Sequence, residues 1–155
     1  MSSSRAERLR LLLDTTYLLP IVGVDGVEPV LEALARLYNG GLLEAYYTPF
    51  NLLELVGKVS KLRYDPEVVE KGLTLIHEKL AALEPGVEAY MLALRLRARG
   101  FPDLIDLLLY ATAATRNVKL LTRDDKLLRF LEEAGEDTSC VIHEKVFLEE
   151  YAGRA

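Results

Sequence analysis

The chain has 155 residues, 50% of them hydrophobic and 28% charged, with a formal net charge of -5. That balance is globular, which excludes a disordered polar chain, and its acidity argues against a generic basic nucleic-acid coat. A single cysteine, Cys140, excludes an intrachain disulfide and fits a reducing compartment such as the cytoplasm.

Residues 1–6 read as a loose polar tail. Arg8 to Leu13 follows as a strand: charges first, then a continuous apolar run, as in a strand buried on both faces. Asp14 closes it, and a helix-prone segment runs on to the breakers between Pro20 and Gly26. Val27 to Tyr38 carries a helical stripe of Val27, Val30, Leu31, Leu34 and Leu37, stopped by Asn39-Gly40-Gly41. Leu43 to Tyr47 is a second strand. Thr48 and Pro49 then open a helix as N-cap and first residue; it carries Glu54 and runs to about Leu62. Pro66 and Pro85 punctuate two further helices, Glu67 to Leu83 and Val87 to Arg99. Pro102-Asp103 starts another, ending near Asn117. Val118 to Thr122 is a strand, Asp125 to Ala134 a helix, and Ser139 to Ile142 a last strand.

This order predicts one α/β domain over residues 7–150. Its expected architecture is three-layer α/β/α, with a mostly parallel central sheet of about four or five strands. Ligands of such sheets bind at the carboxyl ends of the strands. No apolar run approaches a membrane span.

Four acids fall where such a sheet would gather them: Asp14, Glu54, Asp106 and Asp124. Carboxylates set in apolar sequence are costly to desolvate unless paired, hydrogen-bonded or on a metal. Several converging on one crevice make a hard-cation site suited to phosphate chemistry. Each acid also has a plainer reading. Asp14 could cap the helix beginning Thr15-Thr16. Glu54 could pair with Lys58 at i,i+4, worth about 0.2–0.5 kcal/mol. Asp103, after Pro102, reads as a helix cap first and a ligand second, whereas Asp106 is three residues further in and less easily explained that way. Either Asp124 or Asp125 could be an N-cap.

Basic residues would complete a phosphodiester site. Lys58 and Lys61 share the side of the helix that carries Glu54, and Arg123 lies between Thr122 and Asp124; solvated surface charge is the plainer reading of each. His77 and His143 stand apart, with no zinc pattern.

Four segments together resemble the PIN-domain family of metal-dependent ribonucleases. They are Leu11-Leu-Leu-Asp14-Thr-Thr-Tyr-Leu18, Thr48-Pro-Phe-Asn-Leu-Leu-Glu54-Leu55, Asp106-Leu-Leu-Leu-Tyr-Ala-Thr-Ala113 and Leu120-Leu-Thr122-Arg-Asp124-Asp125. The resemblance covers roughly Leu11 to Ile142, and small members of this kind are commonly VapC-type toxins. It implies an RNA endonuclease using Mg²⁺ or Mn²⁺, forming a homodimer and inhibited by a small antitoxin protein. Asp14, Glu54, Asp106 and Asp124 would be its catalytic, metal-binding acids. Thr16 and Thr122 would orient ligands, with Asp103 auxiliary. The extra acid at Asp103 and the Asp124-Asp125 doublet depart from the family pattern. The competing class is a non-catalytic scaffold of the same fold.

Overall fold

The computed structural model describes residues 8–24, 26 and 28–151. The expected domain start at Glu7, the polar tail and the expected helix start at Val27 lie outside the described residues. Five strands form one sheet: β1 (Leu9–Leu13), β2 (Leu43–Tyr47), β3 (Ala81–Ala82), β4 (Lys119–Thr122) and β5 (Val141–His143). Their order is β3-β2-β1-β4-β5 and every pairing is parallel. The helices are α1 (Thr15–Leu18), which runs into a 3-10 turn (Leu19–Val22), α2 (Glu28–Asn39), α3 (Pro49–Val59) and α4 (Pro66–Lys79). They continue with α5 (Val87–Ala98), α6 (Leu104–Arg116), α7 (Asp125–Glu133) and α8 (Glu144–Tyr151).

Both faces of the sheet are covered, which is why β1 reads as an unbroken apolar run. Leu11 and Leu13 point into a core shared with Tyr17, Leu34, Leu55, Ile76 and Phe147. Leu12, between them, points into the other core with Ala93, Leu107, Leu109 and Leu127. All three side chains are at most 4% exposed. The expected three-layer architecture is the one observed.

The chain leaves β1 to build β2 and β3 on one side, then crosses back to place β4 and β5 on the other. The switch therefore falls between β1 and β4, where a parallel sheet opens a crevice at its carboxyl edge. β1 and β4 are in register from Leu11↔Lys119 to Leu13↔Leu121, so Asp14 and Thr122 emerge side by side.

Several expected boundaries change. The helix expected to reach Leu83 stops at Lys79. Leu80 turns to extended backbone, and Ala81-Ala82 pairs with Tyr46-Tyr47 as a short edge strand. An Ala-Ala-Leu run has no pattern of its own to mark a strand; the open edge of β2 imposes it. The Glu54 helix ends at Val59, short of Leu62. The last strand shifts from Ser139–Ile142 to Val141–His143, and α8 follows it where the sequence showed no helix. No described helix is long and apolar enough to cross a membrane.

Candidate active site

Asp14 follows β1 and precedes α1, and its side chain makes no cap hydrogen bond, so the plainer capping reading does not hold. Its Oδ2 accepts the Thr122 hydroxyl at 3.0 Å. Thr122 Oγ1 in turn accepts the Asp124 N–H at 3.0 Å. One buried hydroxyl thus joins the acids that leave adjacent strands. Burial raises the Asp14 carboxyl above its ordinary value and the Glu54 charge adds to that, while hydrogen bonds from Thr122 and Thr15 and the Lys58 charge act in the opposite sense.

Asp106 sits in the first turn of α6. Asp103 is the N-cap of that helix, its Oδ1 accepting the Asp106 N–H at 3.1 Å. The Asp106 carboxyl is pushed up to about 8, by burial first, then by the charges of Asp14 and Asp103 and by the approach of the Asp124 carboxyl. Asp124 is the N-cap of α7, its Oδ1 accepting the N–H groups of Lys126 and Leu127 at 3.0 and 3.1 Å. A cap of this kind occupies one carboxylate oxygen and leaves the other available. Asp125, the other candidate cap, is exposed and its Oδ1 lies 2.9 Å from His143 Nε2.

Three acids from three elements, Asp14, Asp106 and Asp124, thus share one electrostatic neighbourhood, with Glu54 facing Asp14 from α3. No Glu54–Lys58 ion pair is present among the described residues. Among the described residues, no three His, Cys, Asp or Glu side chains are drawn close enough to form a ready ligand set. Burial is the first cause of the raised Asp14 and Asp106 carboxyls, and the neighbouring acids add to it. The donors are oxygens without thiol or imidazole, which suits a hard divalent cation.

The remaining expected residues divide. Lys58 is exposed but near enough to act on Asp14, and Arg123 acts on the Tyr17 hydroxyl. Lys61 is exposed in the turn after α3. Thr16 is half-buried and makes no side-chain hydrogen bond among the described residues.

Asn51 went unremarked in the sequence. It is fully buried, forms a capping box with Thr48, and extends Nδ2 to the Leu13 carbonyl and the Thr15 hydroxyl, both at 3.1 Å. It ties the Glu54 helix to the chain on both sides of Asp14. The signal was a lone amide beside Leu52 and Leu53, three residues after a Thr-Pro helix start. Tyr17 and Glu144 were also missed; the Tyr17 hydroxyl donates to Glu144 Oε1 at 2.8 Å.

Two sizeable hollows lie away from the acids. One of about 520 Å³ opens at the amino end of the sheet and is lined by Arg8, Arg10, Lys119 and Cys140. Another of about 480 Å³ is an apolar groove flanked by Leu31, Tyr38 and Leu75. Neither is lined by any of the four acids.

Residues 11–132 match the PIN domain family. No protein of curated function matches the chain. Similar solved structures include VapBC2 from Rickettsia felis bound to a DNA fragment from their promoter, at 17% identity and a TM-score of 0.66, covering 87% of this chain and 98% of that one. VapBC-1 from nontypeable Haemophilus influenzae is 17% identical with a TM-score of 0.60, covering 81% and 94%. A toxin–antitoxin complex from Klebsiella pneumoniae is 18% identical with a TM-score of 0.59, covering 85% and 95%. At these identities the likeness is one of fold.

Proposed function

The chain belongs to the PIN-domain family, and from that premise we propose that it is a divalent-metal-dependent endoribonuclease, the toxin of a toxin–antitoxin pair. One observation carries the reading: the carboxyls of Asp14, Asp106 and Asp124, from three elements at the sheet's switch point, act on one another, and those of Asp14 and Asp106 are raised. Asp14, Asp106 and Asp124 would hold Mg²⁺ or Mn²⁺, with Glu54 contributing from α3. A divalent ion bound there supplies an acidified water and neutralises charge on a scissile phosphate. The chain's own groups do the rest. Thr122 fixes the Asp14 carboxylate, Asp103 fixes the start of α6, and Thr16 borders the first acid. Lys58, Lys61 and Arg123 offer cationic contacts to RNA phosphates beside an otherwise anionic crevice.

The similar structure from Klebsiella pneumoniae is a toxin–antitoxin complex, which supports an antitoxin protein as partner, laid into a groove near Glu54. A cytoplasmic homodimer follows the same analogy, with α2, α4 and α5 as the contact because they leave the acids uncovered. Light scattering at tens of micromolar tests that part; a strictly monomeric mass removes the dimer.

The deciding experiment is RNA cleavage titrated with Mg²⁺ and Mn²⁺, with chelator and Asp14→Asn as controls. Cleavage that needs the divalent ion and disappears in Asp14→Asn is expected. Wild-type protein that leaves mixed RNA intact at saturating millimolar ion sinks the nuclease reading. One observation favours the alternative, a non-catalytic scaffold: the described acids do not form a tight ligand set. That alternative gains if wild-type protein binds neither ion yet binds a partner protein.

A further inference from the structure

The match to the PIN domain ends at residue 132, but the chain beyond it returns to the crevice. β5 ends at His143, whose Cα is paired with that of Thr122. α8 begins at the next residue, Glu144. These two neighbours reach different parts of the site. Glu144 Oε1 accepts the Tyr17 hydroxyl at 2.8 Å. The Tyr17 N–H in turn donates to the Asp14 carbonyl at 3.0 Å. His143 Nε2 lies 2.9 Å from Asp125 Oδ1, outside hydrogen-bonding geometry, beside the residue that follows Asp124. The His143 ring is held by its Nδ1, which accepts the Lys145 N–H at 3.1 Å.

α1 spans four residues and lacks a side-chain cap. A helix that short does not hold its own direction and must be fixed by its surroundings. Asn51 fixes it from the α3 side. A second contact from a distant element is the Tyr17 hydroxyl on Glu144. Tyr17 is 1% exposed and Glu144 is half-buried. Phe147, fully buried one turn into α8, anchors that helix to the core around β1 and α2.

We propose that the β5–α8 junction is a positioning clamp, in which Glu144, acting through the Tyr17 hydroxyl, sets where Asp14 stands relative to Asp124. The proposal rests on the metal-dependent nuclease reading. It adds to that reading a positioning pair, Tyr17 and Glu144, outside the four acids.

The test compares Tyr17→Phe, Glu144→Ala, Glu144→Gln and the double variant Tyr17→Phe/Glu144→Ala. Three quantities are read: Mn²⁺ affinity by electron paramagnetic resonance, kcat and KM for RNA cleavage, and Tm. Tyr17→Phe and Glu144→Ala are each expected to weaken Mn²⁺ binding and lower kcat by about 10–100-fold, with KM for RNA within about two-fold. Glu144→Gln, whose amide oxygen still accepts the phenol, is expected to retain wild-type values. The double variant should be no worse than either single one, because both break the same contact. Wild-type Mn²⁺ affinity and kcat in Tyr17→Phe overturn the clamp. So does a Glu144→Gln as damaged as Glu144→Ala, which would make Glu144 a charge and not a tether. Losses that vanish when the assay is cooled well below a lowered Tm also overturn it. A wild type that binds Mn²⁺ without cleaving RNA sinks the functional reading alone, and the Mn²⁺ affinities still decide the clamp. A wild type that binds no Mn²⁺ overturns the clamp as stated.

Discussion

Asp14 and Thr122 lie 108 residues apart in sequence and meet in one hydrogen bond, the Thr122 hydroxyl donating to Asp14 Oδ2 at 3.0 Å. Because that hydroxyl also accepts the Asp124 N–H, it couples the two acids that leave neighbouring parallel strands. Thr122→Val keeps the shape and removes the hydroxyl. Cleavage is expected to fall about 10–100-fold. The unpaired Asp124 N–H should cost about 1–3 kcal/mol in urea unfolding. Unchanged cleavage would show that the hydroxyl does not orient Asp14.

The pH dependence of the metal-free protein follows from Asp106. Its carboxyl is pushed up to about 8 in the fold, against an ordinary value of 3.8. The folded state therefore holds a proton that the unfolded chain has released. That contribution to stability is complete below the ordinary value and is lost as pH rises through about 8. With chelator present, the urea midpoint of the wild type should decline across that window, and Asp106→Asn should flatten the decline. Mg²⁺ or Mn²⁺ added at the alkaline end should raise Tm, since a ligand of the folded state alone stabilises it. A flat wild-type profile is the contrary result.

Asp103 and Asp106 separate by role. Asp103→Ala removes the cap on the Asp106 N–H and is expected to cost about 1 kcal/mol while retaining measurable cleavage. Asp106→Ala is expected to abolish cleavage. Parallel turnover and unfolding measurements check both, and the reverse ranking of activities overturns the assignment.

Gly72, in the interior of α4, tests packing away from the site. An exposed helical glycine usually gains about 1 kcal/mol on replacement by alanine. Here an added Cβ would stand 2.8 Å from Val22 Cα and press on the Ile21 carbonyl, both backbone. Gly72→Ala is therefore expected to destabilise, by about 1–3 kcal/mol. A gain in Tm would show that α4 can move away from the 3-10 turn.

Much of this molecule could be read from its residues. β1 and β4 announced themselves as apolar runs closed by acids, because strands covered on both faces have no polar alternation. Thr48-Pro49 marked the start of α3, since a hydroxyl cap and a proline at the first position favour little else. What escaped was whatever depends on a partner distant in sequence. Ala81-Ala82 becomes a strand only because β2 offers an open edge. Glu144 looks like any surface glutamate until the fold brings Tyr17 against it. Asn51 matters through Leu13 and Thr15, which no local pattern links to it. The crowding of Asp106 by Asp14 and Asp124 is likewise a property of three crossing elements and not of the helix that carries it.

The distance along the chain between Asp14 and Thr122 also bears on synthesis. Translation makes β1 early and β4 late, and β4 supplies the bridging hydroxyl and leads into Asp124. A ribosome-bound chain that lacks β4 cannot close the crevice, because non-local strand pairing comes only after the intervening segment is made. The sheet order itself therefore delays assembly of the crevice until β4 has been made.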